Sequence, residues 1–271
     1  MSNLQQRVIS AIILAAIVLS LTWFGGLPFR LLAVAIGALV FYEWTTVSGV
    51  AKDRPLWMAA WTLVALVLAA LIWSGFGHWI LAGAVAASAA VILFGALRGQ
   101  GGEAGGGMFY ALLAAIALAQ LRGDATSGLW VMIYLFAVVW ATDIFAYFVG
   151  RAIGGPKLAP SISPGKTWSG AVGGVVFAVL AAIAVALAHG GASPLLLALL
   201  AVPLSIVSQA GDLFESRFKR RHGVKDSSRL IPGHGGVMDR VDGLVVAAAA
   251  LYLAGLTFWS GAGTAATLFP G

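Results

Sequence analysis

The chain has 271 residues, of which 61% are hydrophobic and only 10% are charged, and its formal net charge is +6. With 16 basic and 10 acidic residues there is too little polar surface to coat a soluble body of this size, which excludes a water-soluble enzyme, a disordered chain and an ordinary nucleic-acid binder. Cysteine is absent, which excludes disulfides, thiolate nucleophiles and Cys-ligated metals.

A membrane span needs about 20 largely apolar residues, because a helix rises about 1.5 Å per residue through a hydrocarbon core roughly 30 Å thick. Nine segments read as spans: Val8–Trp23, Phe29–Val47, Leu56–Trp73, Trp79–Leu97, Met108–Leu121, Leu129–Val149, Ala171–His189, Leu195–Gln209 and Leu244–Trp259. Arg7 and the apolar run after it resemble a signal peptide, but no A-x-A-like cleavage site follows, so this segment reads as a retained first helix. The fifth and eighth segments are short. They must stand nearly upright, extend into neighbouring residues or pair as a broken hairpin. Gly99–Gly107, just before the fifth, reads as a loop; it lacks the Lys-Ser/Thr ending of a phosphate-binding loop. The apolar runs are too long for the alternating strands of a membrane barrel.

With the amino terminus inside and nine alternating spans, all of the basic residues except Arg30 and Arg122 fall on the cytoplasmic side, which satisfies the positive-inside rule. The expected fold is all-α: a polytopic helical membrane protein with about nine transmembrane helices. It reads as one integral membrane domain over residues 1–271, with a finer division into an amino-terminal helical part, 1–107, and a catalytic carboxyl-terminal part, 108–271.

Two polar stretches interrupt the apolar pattern, and both fall on the cytoplasmic side of this arrangement. Between the last two spans, Gln209 to Asp242 is dense in ionisable groups. If the eighth helix continues, Asp212, Ser216 and Lys219 or Arg220 share a face. Asp239 and Asp242 are three apart near the start of the last helix, and Gly233, Gly235 and Gly236 permit a tight turn before them. Singly, each feature has a plain reading: basic residues set topology, Asp239 and Arg240 form an interfacial cap and counter-charge, and Asp212 pairs with an arginine. Taken together, carboxylates near membrane entry are expensive. Carboxylates bind hard metals and Lys and Arg bind phosphates, so the set points to a metal–polyphosphate complex.

The second stretch follows the sixth span. Asp143 is an intramembrane carboxylate, a functional candidate by default, with Tyr147 one turn on. Ser163, Lys166 and Thr167 precede the seventh span, where free backbone N–H groups favour anions. Thr167 and Ser169 read equally well as helix caps. His189 has no assigned role, His222 reads as loop surface, and His234 stands beside the glycines without any need for a base.

The 27-residue run Ser216–Asp242 closely resembles the signature of the phosphatidate cytidylyltransferase (CDP-diglyceride synthase) family, with supporting resemblance from Asp143 to Lys166 and at Gly211-Asp212. The resemblance implies integral membrane enzymes that convert CTP and phosphatidic acid into CDP-diacylglycerol and pyrophosphate, use Mg²⁺ with a monovalent cation such as K⁺ alongside, and form homodimers. It places the family's metal-binding aspartates on Asp212 and Asp239, with Asp242 completing the Asp-Arg-x-Asp part. Its Ser-Pro-x-Lys lysine falls on Lys166, its Lys-Asp pair on Lys225 and Asp226, and its His-Gly-Gly on His234, Gly235 and Gly236. The family often reads Ser-Pro-Lys-Lys-Thr-x-Glu-Gly, whereas this chain carries Gly165 and Ser169 at the first Lys and the Glu.

The residue inventory suits that chemistry. A phosphate monoester with a second pKa near 6 is already largely dianionic at neutral pH, so the attack on the α-phosphorus of CTP needs screening of charge more than a protein base. Asp212 and Asp239, then Asp242 and Asp143, are the metal candidates. Ser163, Lys166, Lys219, Arg220, Lys225 and Arg240 are the phosphate-binding candidates. The expected partners are CTP, phosphatidic acid, the lipid bilayer and a second copy of the chain, with no nucleic acid, and the expected location is the cell inner membrane. Three other readings have distinct signatures: a CTP-dependent lipid-alcohol kinase releases CDP, a transporter carries charge across both leaflets, and a structural scaffold is indifferent to CTP and magnesium.

Overall fold

A computed structural model describes residues 3–74, 77–259 and 263–270. Helices α1 (Asn3–Phe24), α2 (Gly26–Ser48), α3 (Arg54–Ser74), α4 (His78–Ala96), α5 (Gly101–Arg122) and α6 (Thr126–Ile153) come first. A short hairpin, β1 (Lys157–Ala159) and β2 (Ser163–Thr167), then leads into α7 (Trp168–His189), α8 (Pro194–Arg221), α9 (Met238–Phe258) and α10 (Gly263–Leu268). Among the described residues nine helices, α1 to α9, are long and apolar enough to cross a membrane. The protein is a multi-pass, all-α membrane protein.

The chain folds as two compact units. The first comprises Met1–Gln120 and His222–Arg240. Here the glycine-rich stretch departs from its expected loop: from Gly101 onward it is helical, part of α5. Packing explains the difference. A Cβ on Gly105 would meet Ser88 O at 2.7 Å, and one on Gly107 would overlap the Trp44 indole. The glycines let α5 lie close to α2 and α4, as small residues do in membrane helices. Trp44 Nε1 completes the packing by donating to Glu103 O at 2.8 Å. Gly107→Ala is therefore expected to displace a buried indole and destabilise the chain by about 1–3 kcal/mol, seen as a lower apparent melting temperature in detergent. Arg30 donates to Ile72 O at the end of α3 at 3.2 Å.

The second unit comprises Leu121–Arg221 and Val241–Gly271. Its α6 and α7 lie close because Gly170 and Gly174 face backbone carbonyls of Ala146 and Thr142, where a Cβ would come within 2.5 and 2.9 Å. Phe145 stacks on Phe177 across the same seam. Thr142 Oγ1 donates to Ser205 Oγ on α8 at 2.8 Å, and Tyr134 OH donates to Leu197 O at 2.9 Å. On α8 and α9, Gly211 faces Val246 and Gly243 faces Ser208, so these helices also approach closely. The eighth helix is much longer than its apolar segment: it carries Pro203 internally and continues to Arg221, well into the polar run after Gln209. A proline removes one intrahelical hydrogen bond, which membrane helices tolerate when neighbours re-satisfy the freed groups. His189 packs its ring against Trp130 and Phe269. Arg122 is buried and donates to Gly123 O and Ala125 O.

Candidate active site

The candidate site side chains gather in two places, one in each unit. In the second unit, a cavity of about 620 Å³ is lined by Asp143, Tyr147, Arg151, Ser163, Lys166 and Asp212, with Lys157 and Gln209 also at its wall. The hairpin builds one side: β1 and β2 pair antiparallel, Lys157 with Thr167 and Ala159 with Ser163. The sequence suggests only a loop here, because the strands are three and five residues long, too short for a periodic signal. The hairpin ends where α7 begins. Thr167 is the N-cap, accepting from Gly170 N at 3.1 Å, so the cap reading describes it. Ser169 Oγ lies 3.0 Å from Thr167 Oγ1 and donates to Gly154 O.

Lys166, aimed from β2, forms an ion pair with Asp212 Oδ2 on α8. Ser216 Oγ donates to Asp212 Oδ1 at 3.3 Å from the next turn of the same helix, the i, i+4 relation expected if the helix continued. Asp143, within the span-length helix α6, is exposed and lines the cavity. It sits late in α6, where that helix opens onto the hairpin. Asp242 lies against Glu215, with Asp212 and Lys219 as its other charged neighbours. Lys219 Nζ is 3.1 Å from Glu215 Oε1. Arg220 is exposed on α8.

The second gathering lies in the first unit, on the loop before α9 and its first turn. Asp239 Oδ2 accepts from Gly236 N at 2.7 Å, from Ser227 N at 3.0 Å and from Ser227 Oγ at 3.0 Å. Two backbone N–H donors and the Ser227 hydroxyl hold this oxygen in place. Gly235 has φ +86°, in the left-handed region, and a Cβ there would come within 2.6 Å of Asp239 Oδ2; only glycine suits both demands. The His234 ring stands 2.9 Å from Ser10 Oγ on α1, and Arg7 Nε donates to Gly233 O at 2.7 Å. Lys225 and Arg240 are exposed. His222, expected as loop surface, is half-buried with Nε2 3.8 Å from Glu103 Oε1.

Two acidic residues that the sequence motifs do not single out belong to these gatherings. Glu215 is buried in the second unit, three positions after Asp212. Glu43 is fully buried in the first, and it is the only acidic residue in α1 and α2. A lone carboxylate inside an apolar span is a signal in itself.

Residues 5–258 match the model of the cytidylyltransferase family. The chain is 51% identical over 263 residues to a phosphatidate cytidylyltransferase of Brucella abortus biovar 1 (strain 9-941), covering 95% of each. It is 38% identical over 274 residues to a phosphatidate cytidylyltransferase of Pseudomonas aeruginosa, covering 93% of this chain and 98% of that one. This chain belongs to the cytidylyltransferase family.

A cytidylyltransferase handles polyphosphate, and the residues present fit a magnesium ion. Mg²⁺ keeps several waters and is held through one or two carboxylates plus substrate phosphates instead of an all-protein cage. Among the described residues no group of three or more His, Asp or Glu side chains forms such a cage. Asp212 and Asp239 each present a carboxylate already oriented by neighbouring donors, which is the donor chemistry a hard ion takes. The Ser169 hydroxyl of this cytidylyltransferase is engaged with Gly154 O and Thr167.

Proposed function

We propose that this chain transfers the cytidylyl group of CTP to phosphatidic acid at the cytoplasmic face of the cell inner membrane, releasing pyrophosphate, with Asp212 and Asp239, one in each unit, as the first candidates for binding Mg²⁺. The observation that carries this reading is the end-to-end likeness to phosphatidate cytidylyltransferases. The geometry supports it: a cavity with Lys166, Arg151 and Lys157 at its wall suits a polyanion.

In the reaction, a phosphate oxygen of phosphatidic acid forms a bond to the α-phosphorus of CTP while the bond from that phosphorus to the β-bridging oxygen breaks. The nucleophile is already largely dianionic, so no residue has to remove a proton. Mg²⁺, when bound, offsets the repulsion between the two polyanions and stabilises the leaving pyrophosphate. Lys166 and Ser163 bind phosphate oxygens from the cavity wall, and Lys166 also orients Asp212. Lys219, Arg220, Lys225 and Arg240 supply further positive charge for polyphosphate or lipid headgroup. Asp239 stays in one orientation because Ser227 and Gly236 hold it, which is preorganisation of the kind that lowers a barrier without reorganisation during the reaction. Asp242 and Asp143 are additional metal candidates. K⁺ as a second cation and a homodimer complete the proposal.

The test is product formation by the purified full chain in detergent–lipid micelles, with labelled phosphatidic acid, CTP and Mg²⁺. CDP-diacylglycerol and pyrophosphate should appear in equal amounts and vanish when a chelator is added. Folded protein that makes no liponucleotide would sink the reading. CDP formed with an alcohol acceptor would mark a lipid kinase, and no turnover of CTP would favour transport.

A further inference from the structure

Glu43 is 0% exposed, on a helix that spans the membrane by length and composition. A buried carboxylate is costly unless its oxygens are satisfied. Here both are. Oε1 accepts from Ser228 Oγ at 2.7 Å and from Val237 N at 2.8 Å. Oε2 accepts from Ser227 Oγ at 2.9 Å and from Met238 N at 2.7 Å. All four donors lie in the loop before α9 or at its first residue, more than 180 positions away in sequence. Met238 opens α9, so its N–H has no partner within the helix. Glu43 caps that helix from α2, with its negative charge at the positive end of the dipole.

The same hydrogen bonds reach Asp239. The Ser227 hydroxyl stands 2.9 Å from Glu43 Oε2 and 3.0 Å from Asp239 Oδ2, so the two carboxylates share its one proton as a donor. Gly236, whose N–H donates to Asp239, could carry no side chain, because a Cβ there would come within 2.5 Å of Glu43 Oε1 and closer still to Ser227 Oγ. A span that had only to pack would use an apolar residue, since a buried ion is a weak stabiliser. This one specifies the shape of the loop.

We propose that Glu43 is a positioning residue for cytidylyl transfer, clamping residues 227–238 so that the Asp239 carboxylate is presented in one fixed orientation. The proposal rests on the reading that Asp239 helps hold Mg²⁺. In Glu43→Gln the amide keeps one acceptor oxygen and turns an NH₂ toward two donors, which breaks half of the clamp. Ser228→Ala removes one donor without touching Asp239.

The full chain in detergent–lipid micelles supports two measurements. Backbone hydrogen exchange of the 227–239 segment, with a chelator present, reports the clamp itself. In Glu43→Gln it should quicken roughly ten-fold or more while α6 to α8 are unchanged, with a smaller change in the same direction for Ser228→Ala. The Mg²⁺ concentration for half-maximal CDP-diacylglycerol formation should rise by roughly ten-fold in Glu43→Gln, with part of the lost rate restored at high Mg²⁺. A residue that merely stabilises would lower folded yield and leave the Mg²⁺ dependence alone. Unchanged loop exchange in both variants overturns the clamp, and a looser loop with unchanged Mg²⁺ dependence overturns the positioning role. If Glu43→Gln does not fold, Ser228→Ala carries both readouts. Full activity in Asp239→Asn would overturn the reading beneath the proposal, and the exchange data would show separately whether the clamp exists.

Discussion

Asp239→Asn is expected to reduce CDP-diacylglycerol formation by roughly 10²–10³-fold, the range for removing one preorganised electrostatic group from an active site. The substitution isolates charge from shape. With its carbonyl oxygen in the place of Oδ2, the asparagine still accepts from Gly236 N, Ser227 N and Ser227 Oγ, which hold Oδ2 at 2.7–3.0 Å. The loop and the first turn of α9 should keep their form, and the apparent melting temperature should shift little. What is lost is the negative charge offered to a divalent cation, so the residual rate should need more Mg²⁺. Rates and melting curves measured on the same preparation decide the matter. A wild-type rate would show that Asp239 holds no ion needed in the reaction, and a collapse in melting temperature would make the residue structural.

Lys166→Met is expected to lower kcat/KM for CTP by roughly 10²-fold while costing under about 1 kcal/mol of stability. The contrast follows from exposure. The Lys166 side chain is 29% exposed and that of Asp212 33%, so water already screens the pair and its breakage is cheap. The same lysine brings a full positive charge to a cavity that also carries Arg151 and Lys157, where a polyanion would meet it directly. The substitution also frees Asp212 from one of its two orienting hydrogen bonds. Lys166→Arg should restore part of the rate, because charge returns with a broader, planar head. Equal losses of stability and activity in Lys166→Met would argue that the pair serves folding alone.

The membrane character is legible from residue counts, because a chain with so little charge has no other way to satisfy water. The apolar runs are legible too, since each helix must hydrogen-bond its own backbone across the bilayer, and among the described residues nine helices are long and apolar enough to do so. Boundaries are less so. The eighth segment ends at Gln209 by hydropathy, but α8 continues through Asp212 to Arg221, because helical hydrogen bonding does not stop where apolar residues do. Gly101–Gly107 looks like a loop by propensity, yet it is helical because the partners of α5 need the missing side chains. The β-hairpin carries no periodic signal at all. Lys166 and Asp212 each stand out in the sequence, 46 positions apart, but their pairing is a fact of packing.

Sequence alone determined that this is a multi-pass helical membrane chain with its ionisable residues concentrated in two polar stretches, and the run Ser216–Asp242 carried the family. Those are local properties: composition, periodicity and a contiguous motif. Tertiary structure decided which carboxylates are oriented and by what. Glu43 lies more than 180 residues from the loop it caps, and nothing in the apolar run around it says where its four donors come from. Only the folded chain can bring them to it, because a buried carboxylate is stable in an apolar span only when distant parts of the chain supply its hydrogen bonds.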